Sequence, residues 1–549
     1  RVGDTEPDTF ALGPTSGVAS DRANNDVMNL GRLLSDTARR LPDRIGLVWG
    51  ERQWSWRALD DRVNALVRAL KSRGLGKGDR ILVQAKNSNQ LFETLFAAFK
   101  LGAVWVPCNF RLTPPEVAYL ASSSHAKAMI ADDSFQAHVE ASRAAARGLG
   151  LGVITGKARE GQQDYEALLA EGAGAPAWEE EVGYDDPCWF FYTSGTTGRP
   201  KAGVLTHGQM AFVVTNHIAD LMPDTGPDDA SLVVAPLSHG AGAHLLPQVA
   251  RGAKSVLLAN PSFDEEEAWR LVQEHRVSNM FTVPTIIPRL CRHPAVDRYD
   301  HSSLKYVIYA GAPMYRADQK VCLEKIGRVL VQYFGLGEVT GNITVLPREL
   351  HSLNDNEMRL GSCGYPRTGM EIAIKDPEGR RLGANEKGEI CVRGPAVFAG
   401  YYDNPEANAK ALKGGWFHTG DLGYLDEAGF LYITGRASDM YISGGSNVYP
   451  REAEEALLTH PAVAEVAVLG VPDPQWGEAG VGVVVLNEGQ AAGEAELLRH
   501  LDGKLAKYKW PRRLFFWAEL PKSGYGKVPK HLIRQELYAR GELKEGAGT

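Results

Sequence analysis

Apolar and polar residues alternate along this chain in two rhythms. From Trp56 to Ser72, Leu59, Val63, Leu66, Val67 and Leu70 recur every three or four residues, which predicts a helix with one buried face. Gln90 to Leu101 repeats that rhythm, and Leu30-Gly31-Arg32-Leu33-Leu34 opens another amphipathic helix. Between these stretches lie short apolar runs with strand character: 45–49, 80–84 and 103–107. The same alternation returns at 255–258, in a helix from about Asp264, and at 280–284 and 306–310. Strands and helices taking turns in this way predict an α/β fold with a largely parallel sheet. The last hundred-odd residues repeat the alternation on a smaller scale. A helix at 452–458 follows Pro450, strands occupy 463–468 and 481–486, and a helix occupies 494–505.

Composition narrows the class. A chain of 549 residues is too long for one core, so two or more domains are expected. The net charge of −7 argues against a nucleic-acid surface as the main partner. No apolar run reaches the roughly 18–20 residues of a membrane span. Cys108, Cys188, Cys291, Cys322, Cys363 and Cys391 show no C-x-x-C spacing, so neither a zinc site nor a disulfide framework is indicated, and a reducing, cytoplasmic setting fits. Residues 1–27 are rich in Asp, Thr, Gly, Ser and Pro and read as a disordered tail or an expression remnant, with Met28 a natural start. There is no signal-peptide pattern and no fixed-period repeat.

One stretch carries phosphate chemistry: Tyr192-Thr193-Ser194-Gly195-Thr196-Thr197-Gly198-Arg199-Pro200-Lys201. It follows the buried-strand run 188–191 and precedes a helix beginning near Gly208. Its glycines let backbone N–H groups approach an anion, its hydroxyls can donate to phosphate, and Arg199 and Lys201 can offset charge. The spacing of a Walker A loop is absent. Downstream, an apolar strand ends at Pro236 and leads to Ser238-His239-Gly240-Ala241-Gly242-Ala243-His244, where small residues leave room beside His239. His244 is a second, weaker candidate. Further on come Ala310-Gly311-Ala312-Pro313, then Phe334-Gly335-Leu336-Gly337-Glu338, then Thr419-Gly420-Asp421 with Arg436, and near the end Gly524-Tyr525-Gly526-Lys527.

These motifs, in this order, resemble the adenylate-forming superfamily: acyl-CoA synthetases, luciferases and the adenylation domains of peptide synthetases. The resemblance spans about residues 28–540. It implies a large N-terminal adenylation domain over 28–436, made of layered, mostly parallel sheets with helices, and a small mobile α/β domain over 437–549. It implies that Thr193, Ser194, Gly195, Thr196, Thr197, Gly198 and Lys201 grip the pyrophosphate end of ATP. Gly311, Ala312, Pro313, Phe334, Gly335, Gly337, Asp421, Ile433 and Arg436 complete the nucleotide site. Glu338, with Thr196, would meet Mg²⁺, since a hard cation takes oxygen ligands.

The resemblance further assigns His239, Gly240, Ala241, Ala310 and Gly335 to an acyl pocket, Ser438 to the hinge, Gly444 and Gly445 to a pantetheine tunnel, and Lys527 to catalysis together with Glu338 and His239. The implied reaction joins a carboxylic acid to coenzyme A at the expense of ATP. Transfer to a carrier protein, a luciferase-like oxygenase and a non-catalytic nucleotide binder are the alternatives. No acidic residue lies near His239, which favours a plain acid over an amino acid, and the small residues suggest a medium-to-long aliphatic or an aromatic one. Two positions depart from the pattern. Gly337 stands where the family has Thr, so Thr340, a water or a wider pocket would make up the contact. Ser438 stands where most relatives carry Asp or Lys, so Asp439 is a candidate to share the hinge. The oligomeric state, homodimer included, is not legible.

Overall fold

The computed structural model describes residues 26–543 apart from 175, 194–198, 261, 312, 313, 315, 437, 438, 444, 445, 474, 475 and 523–527. Asp26–Val27 pair with Val182–Gly183, so these two residues, expected to lie outside the fold, are part of it.

Most elements fall where the periodicity puts them. The helix Trp56–Ser72 buries Leu59, Val63, Leu66, Val67 and Leu70, and the Ser55 side chain caps it by accepting from Ala58 N. Three parallel strands, Arg80–Gln84, Val104–Pro107 and Ala128–Asp132, stand at the centre of a seven-stranded sheet. Their near-continuous apolar sequences fit a sheet covered on both faces. A nine-stranded sheet takes up Ile45–Trp49, Ala230–Val233, Lys254–Leu257, Asn279–Thr282, Tyr306–Tyr309 and Leu330–Phe334, again parallel at the centre. The main apolar core includes residues of both sheets and the helices around them, among them Trp105 and Trp189 with ring centroids 4.8 Å apart at 78°.

Two smaller sheets follow. One includes Glu371–Lys375, Gly388–Arg393, Trp416–Leu425 and Leu431–Arg436, all antiparallel. The other belongs to the separate C-terminal unit. There Val463–Asp473 and Gly477–Leu486 form an antiparallel pair, and Arg513–Phe516 adds in parallel. The C-terminal helix predicted at 494–505 is shorter, Glu494–His500. Among the described residues, no helix is long and apolar enough to cross a membrane. All six cysteines are buried and unbridged.

Candidate active site

Two antiparallel strands bracket the phosphate-loop sequence. Pro187–Thr193 enters it and Lys201–Thr206 leaves it, with Thr193 opposite Lys201. The sequence reading missed the second strand, because Lys201-Ala202-Gly203-Val204-Leu205-Thr206 is short and runs straight into a helix. That helix, His207–Leu221, is closed by a capping box in which Thr206 and Gln209 satisfy each other's backbone N–H groups.

Glu338 sits beside Thr193. Its carboxylate is almost fully buried and accepts from Tyr401 Oη at 2.8 Å and from Thr193 Oγ1 at 3.3 Å. Both hydroxyls reach the same oxygen, Oε1. Burial and the adjacent carboxylate push the Tyr401 phenol well above its ordinary range, so it stays a donor. Lys201 Nζ lies 5.3 Å from the Tyr401 ring centroid. Lys201, Tyr401, Glu338 and Thr193 are therefore one connected group at the mouth of the loop. Its hydroxyl and carboxylate oxygens suit a hard cation. Tyr401 was not foreseen, since nothing in Ala399-Gly400-Tyr401-Tyr402 marks it. Arg199 packs over the Tyr119 ring, at 5.2 Å.

The Gly337 departure has a packing reason. A Cβ there would lie 2.6 Å from the Phe191 ring and 3.0 Å from the Thr193 methyl. Phe191 fills the space, so the pocket is not wider at this point. Thr340 does not substitute either. It is buried, in a left-handed conformation at φ 48°, and engaged with Gln209 Nε2 at 3.3 Å and Met210 Sδ.

His239 is half-buried, and its ring lies 4.6 Å from Phe191 at 31°. It precedes the helix Gly240–Arg251, whose start is not capped by its side chain. The room expected beside it is taken. A Cβ at Gly240 would come 3.1 Å from the Phe281 ring, and one at Gly242 would come 2.3 Å from the Leu237 carbonyl oxygen. A Cβ at Gly335 would collide with the Gly341 backbone at 2.3 Å. These glycines admit aromatic rings and close chain crossings, so they do not measure the size of a substrate. Ala241 lines a small cavity with His244 and Phe281, and Ala310 packs in one cluster with Tyr333.

Asp421 and Arg436, which the resemblance assigns to the nucleotide site, lie together at a bulge. Asp421 lies inside the strand Trp416–Leu425 and not at a chain turn. Glu389 faces Leu422 and Cys391 faces His418, so Thr419, Gly420 and Asp421 together stand opposite Ile390 alone. Gly420 takes φ 73°, which the extra length requires. Asp421 pairs across the sheet with Arg436, Oδ1 to Nε 3.2 Å. Glu389 holds the bulge: its Oε1 accepts from Gly420 N at 3.2 Å and its Oε2 lies 2.7 Å from His418 Nδ1. Glu389 was missed, because its role depends on register. Ile433 packs partly against the main core, Phe334 N donates to Thr344 Oγ1, and Gly311 takes φ 90° with open space beside it.

Expectations for Ser194, Gly195, Thr196, Thr197, Gly198, Ala312, Pro313, Ser438, Gly444, Gly445 and Lys527 fall on residues outside the described ones.

With this arrangement in view, the sequence matches the profile of the AMP-binding enzymes over residues 34–402 and that of the AMP-binding enzyme C-terminal domain over 452–527. The chain belongs to the AMP-binding enzyme family. It is 36% identical over 502 residues to a feruloyl-CoA synthase of Amycolatopsis sp, covering 91% of this chain and 97% of that one. It is 33% identical over 518 residues to an indoleacetate–CoA ligase of Aromatoleum aromaticum, covering 94% and 100%. Among solved structures it resembles the anthranilate CoA ligase AuaEII in complex with anthranoyl-AMP, at 25% identity and a TM-score of 0.84, covering 94% and 98%. It also resembles the amide bond synthetase McbA from Marinactinospora thermotolerans, at 26% identity and a TM-score of 0.83, covering 92% and 99%. This member of the AMP-binding enzymes is an acid–thiol ligase of the acyl- and aryl-CoA type, a class that uses ATP and coenzyme A.

Proposed function

We propose that this enzyme activates an aromatic carboxylic acid in two half-reactions. The observation that carries the choice of acid is a set of flat side chains behind His239. His244 stacks on Phe281 at 4.1 Å and 12°, and Phe281 lies 5.8 Å from Tyr333 at 16°. Near-parallel rings in contact present a flat apolar wall, which favours a flat partner packed beside them. The names of the feruloyl, indoleacetate and anthranilate relatives support the same class.

In the first half-reaction the substrate carboxylate attacks the α-phosphate of ATP and pyrophosphate leaves. Ser194, Gly195, Thr196, Thr197, Gly198 and Lys201 hold the phosphates. Glu338 and Thr196 would hold Mg²⁺, which offsets phosphate charge when bound. Gly311, Ala312 and Pro313 face adenine, while Asp421 and Arg436 take the ribose. Lys527, carried by the C-terminal unit of 437–549, supports charge developing at the carboxylate and α-phosphate. Loss of one such preorganised donor costs about 10²–10³ in rate, so Lys527→Ala should lose that much adenylation. In the second half-reaction the unit turns at Ser438, Lys527 withdraws, and Gly444 and Gly445 line the entry for pantetheine. The CoA thiol then attacks the acyl carbon and AMP leaves. The six unbridged cysteines support a cytoplasmic setting.

Pyrophosphate and AMP release across a panel of acids, with and without CoA, tests this reading. Release with aryl acids, plus a CoA-dependent thioester, is expected. Release without thioester would move the enzyme to the second reading, in which the adenylate passes to another acceptor; the amide synthetase neighbour favours that reading. The Gly337 departure has its own test. Gly337→Thr restores the family residue but drives a Cβ into Phe191, so kcat/KM should fall; Phe191→Leu in the same chain should recover part of the loss.

A further inference from the structure

Sharing His244 and Tyr333 with the ring stack is a cluster whose Arg367, His217 and Asp220 the reaction above does not use. Arg367 is almost fully buried. Its Nη2 donates to His217 Nδ1 at 3.2 Å, its Nε reaches Asp220 Oδ2 at 3.3 Å, and its guanidinium carbon lies 5.8 Å from the Tyr333 ring centroid. His217 lies 4.7 Å from His244, ring to ring, and His244 Nε2 is 3.2 Å from Tyr333 Oη. Three ring and guanidinium nitrogens in this cluster have no partner: Arg367 Nη1, His217 Nε2 and His244 Nδ1. A buried polar group left unpaired is destabilising, so three together call for an explanation.

The cluster adjoins the acyl side of the site. Gly240 faces Phe281, Phe281 stacks on His244, and Ala310 packs with Tyr333. Gly335 abuts Gly341, whose own Cβ would lie 2.5 Å from the Tyr333 ring. Every small residue assigned to the acyl pocket thus leads, directly or through one neighbour, to a ring of this cluster.

We infer that Arg367, His217 and His244 form a donor set that binds an uncharged oxygen, a hydroxyl, ether or carbonyl, at the end of the acyl substrate remote from its carboxylate. The inference rests on the ligase reading above and names the substrate more closely. Protonation sets the sign. Burial holds His217 far below its ordinary value and brings His244 down to about 3, so both rings are neutral. His217 Nδ1 accepts from Arg367, so its single proton sits on Nε2. Tyr333 Oη and His244 Nε2 share one hydrogen bond in which either can donate, and in the tautomer with Tyr333 as donor the His244 proton sits on Nδ1. Arg367 Nη1 can only donate, His217 Nε2 and His244 Nδ1 offer hydrogens in these tautomers, and the complement of the set is an acceptor. Asp220 already offsets the Arg367 charge and also accepts from Thr368 N and Oγ1 at 2.8 Å each. A second substrate carboxylate would therefore be buried without a counter-charge, which is costly. A neutral oxygen takes the donors without that penalty.

The test compares kcat/KM for pyrophosphate release with cinnamate, 4-hydroxycinnamate, 4-methoxycinnamate and 4-carboxycinnamate. The wild type should prefer the hydroxy or methoxy acid to the parent by tenfold or more, and should disfavour the carboxy acid. Arg367→Lys and His244→Phe should each bring that ratio below about threefold, with AMP binding and Tm reported alongside to show a folded site. Equal use of parent and oxygenated acids, preference for the carboxy acid, or an unchanged ratio in both variants would overturn the donor set. If no acid releases pyrophosphate, the ligase reading fails by itself. Equilibrium binding of the same acids with AMP present then judges the donors, and equal affinities would overturn them.

Discussion

Two buried charge clusters in the large N-terminal unit are finished differently. In the first, Glu93 lies fully inside the protein, and both of its oxygens are taken. Oε1 accepts from Arg62 Nε at 2.6 Å and Asn89 Nδ2 at 2.8 Å; Oε2 accepts from Arg62 Nη2 at 3.1 Å and Tyr165 Oη at 2.7 Å. Nearby Lys100, also fully buried, ends on Asp60 at 2.6 Å and Asn64 at 2.7 Å. In the second, Arg367 keeps one nitrogen unpaired, as do His217 and His244. The first joins the helices Trp56–Ser72 and Asn89–Lys100 and pairs every nitrogen and oxygen of its charged side chains, while the neutral Asn89 Oδ1 is left without a partner. The second is built of similar side chains but has hydrogens left over, next to the pocket where a substrate would end. A buried ion pair is weak evidence of stability in itself. What separates scaffold from recognition here is whether every nitrogen and oxygen of the charged side chains finds a partner inside the chain.

The largest effect that would sharpen this contrast is at Glu93. Glu93→Ala leaves Arg62 and Tyr165 facing a vacated site, and breaking a buried pair from one side costs about 3–5 kcal/mol. Denaturant unfolding of the variant should show that loss. The preference among the cinnamates should stay as in the wild type. A changed preference would mean that the first cluster also acts on the pocket, and the contrast would fail.

The pH dependence comes next. His244 is brought down to about 3 in the folded protein, below the ordinary value of 6.5. Between those values the unfolded chain binds a proton that the folded chain does not. Stability from this group is therefore present above pH 6.5 and lost as pH falls toward 3. From pH 7 to pH 5 the loss amounts to about 2 kcal/mol for such a shift. His217, and His207 and His351 at about 4 each, act with the same sign. His244→Phe keeps a flat ring and removes the titration, so unfolding free energy measured at pH 7 and pH 5 should differ by about 2 kcal/mol less in the variant. An unaltered difference would show that His244 is not held neutral, and the proton assignment behind its donor role would fall.

Much of the frame was legible in the sequence, and the reasons are local. Trp56–Ser72 is found as predicted because five apolar residues mark one helix face and Ser55 supplies the cap. Asp421 and Arg436 could be singled out in advance because a family resemblance names both for the nucleotide site, but their direct pairing across the strands was not foreseen. The missed features are set by distant contacts. Tyr401 acts on Glu338 across 63 positions, Phe191 excludes a side chain at Gly337, and Arg367 meets His217 across 150 positions. The reading of small residues as empty space failed for the same reason. A glycine records only that something comes close, and whether it is ligand, ring or backbone is decided by the rest of the fold.

One substitution made at both clusters yields the smallest effect in stability and separates them most cleanly. Arg→Lys keeps the charge and loses the planar fork. At position 62 all three nitrogens of the fork are engaged, with four hydrogen bonds to Glu93 and Glu166, and a lysine can replace only some of them. Glu93 keeps Tyr165 and Asn89, and Arg62 is a quarter exposed, so Arg62→Lys should cost about 1–2 kcal/mol of stability and no selectivity. At position 367 only the contacts to His217 and Asp220, at 3.2 and 3.3 Å, are at stake, and Nη1 has no internal bond to lose. Arg367→Lys should therefore be the milder change in unfolding free energy and the stronger one in the oxygenated-to-parent ratio. The opposite ordering, with selectivity intact at 367 and stability lost, would show Arg367 to be scaffold like Glu93, and its spare nitrogen would then carry no message about the substrate.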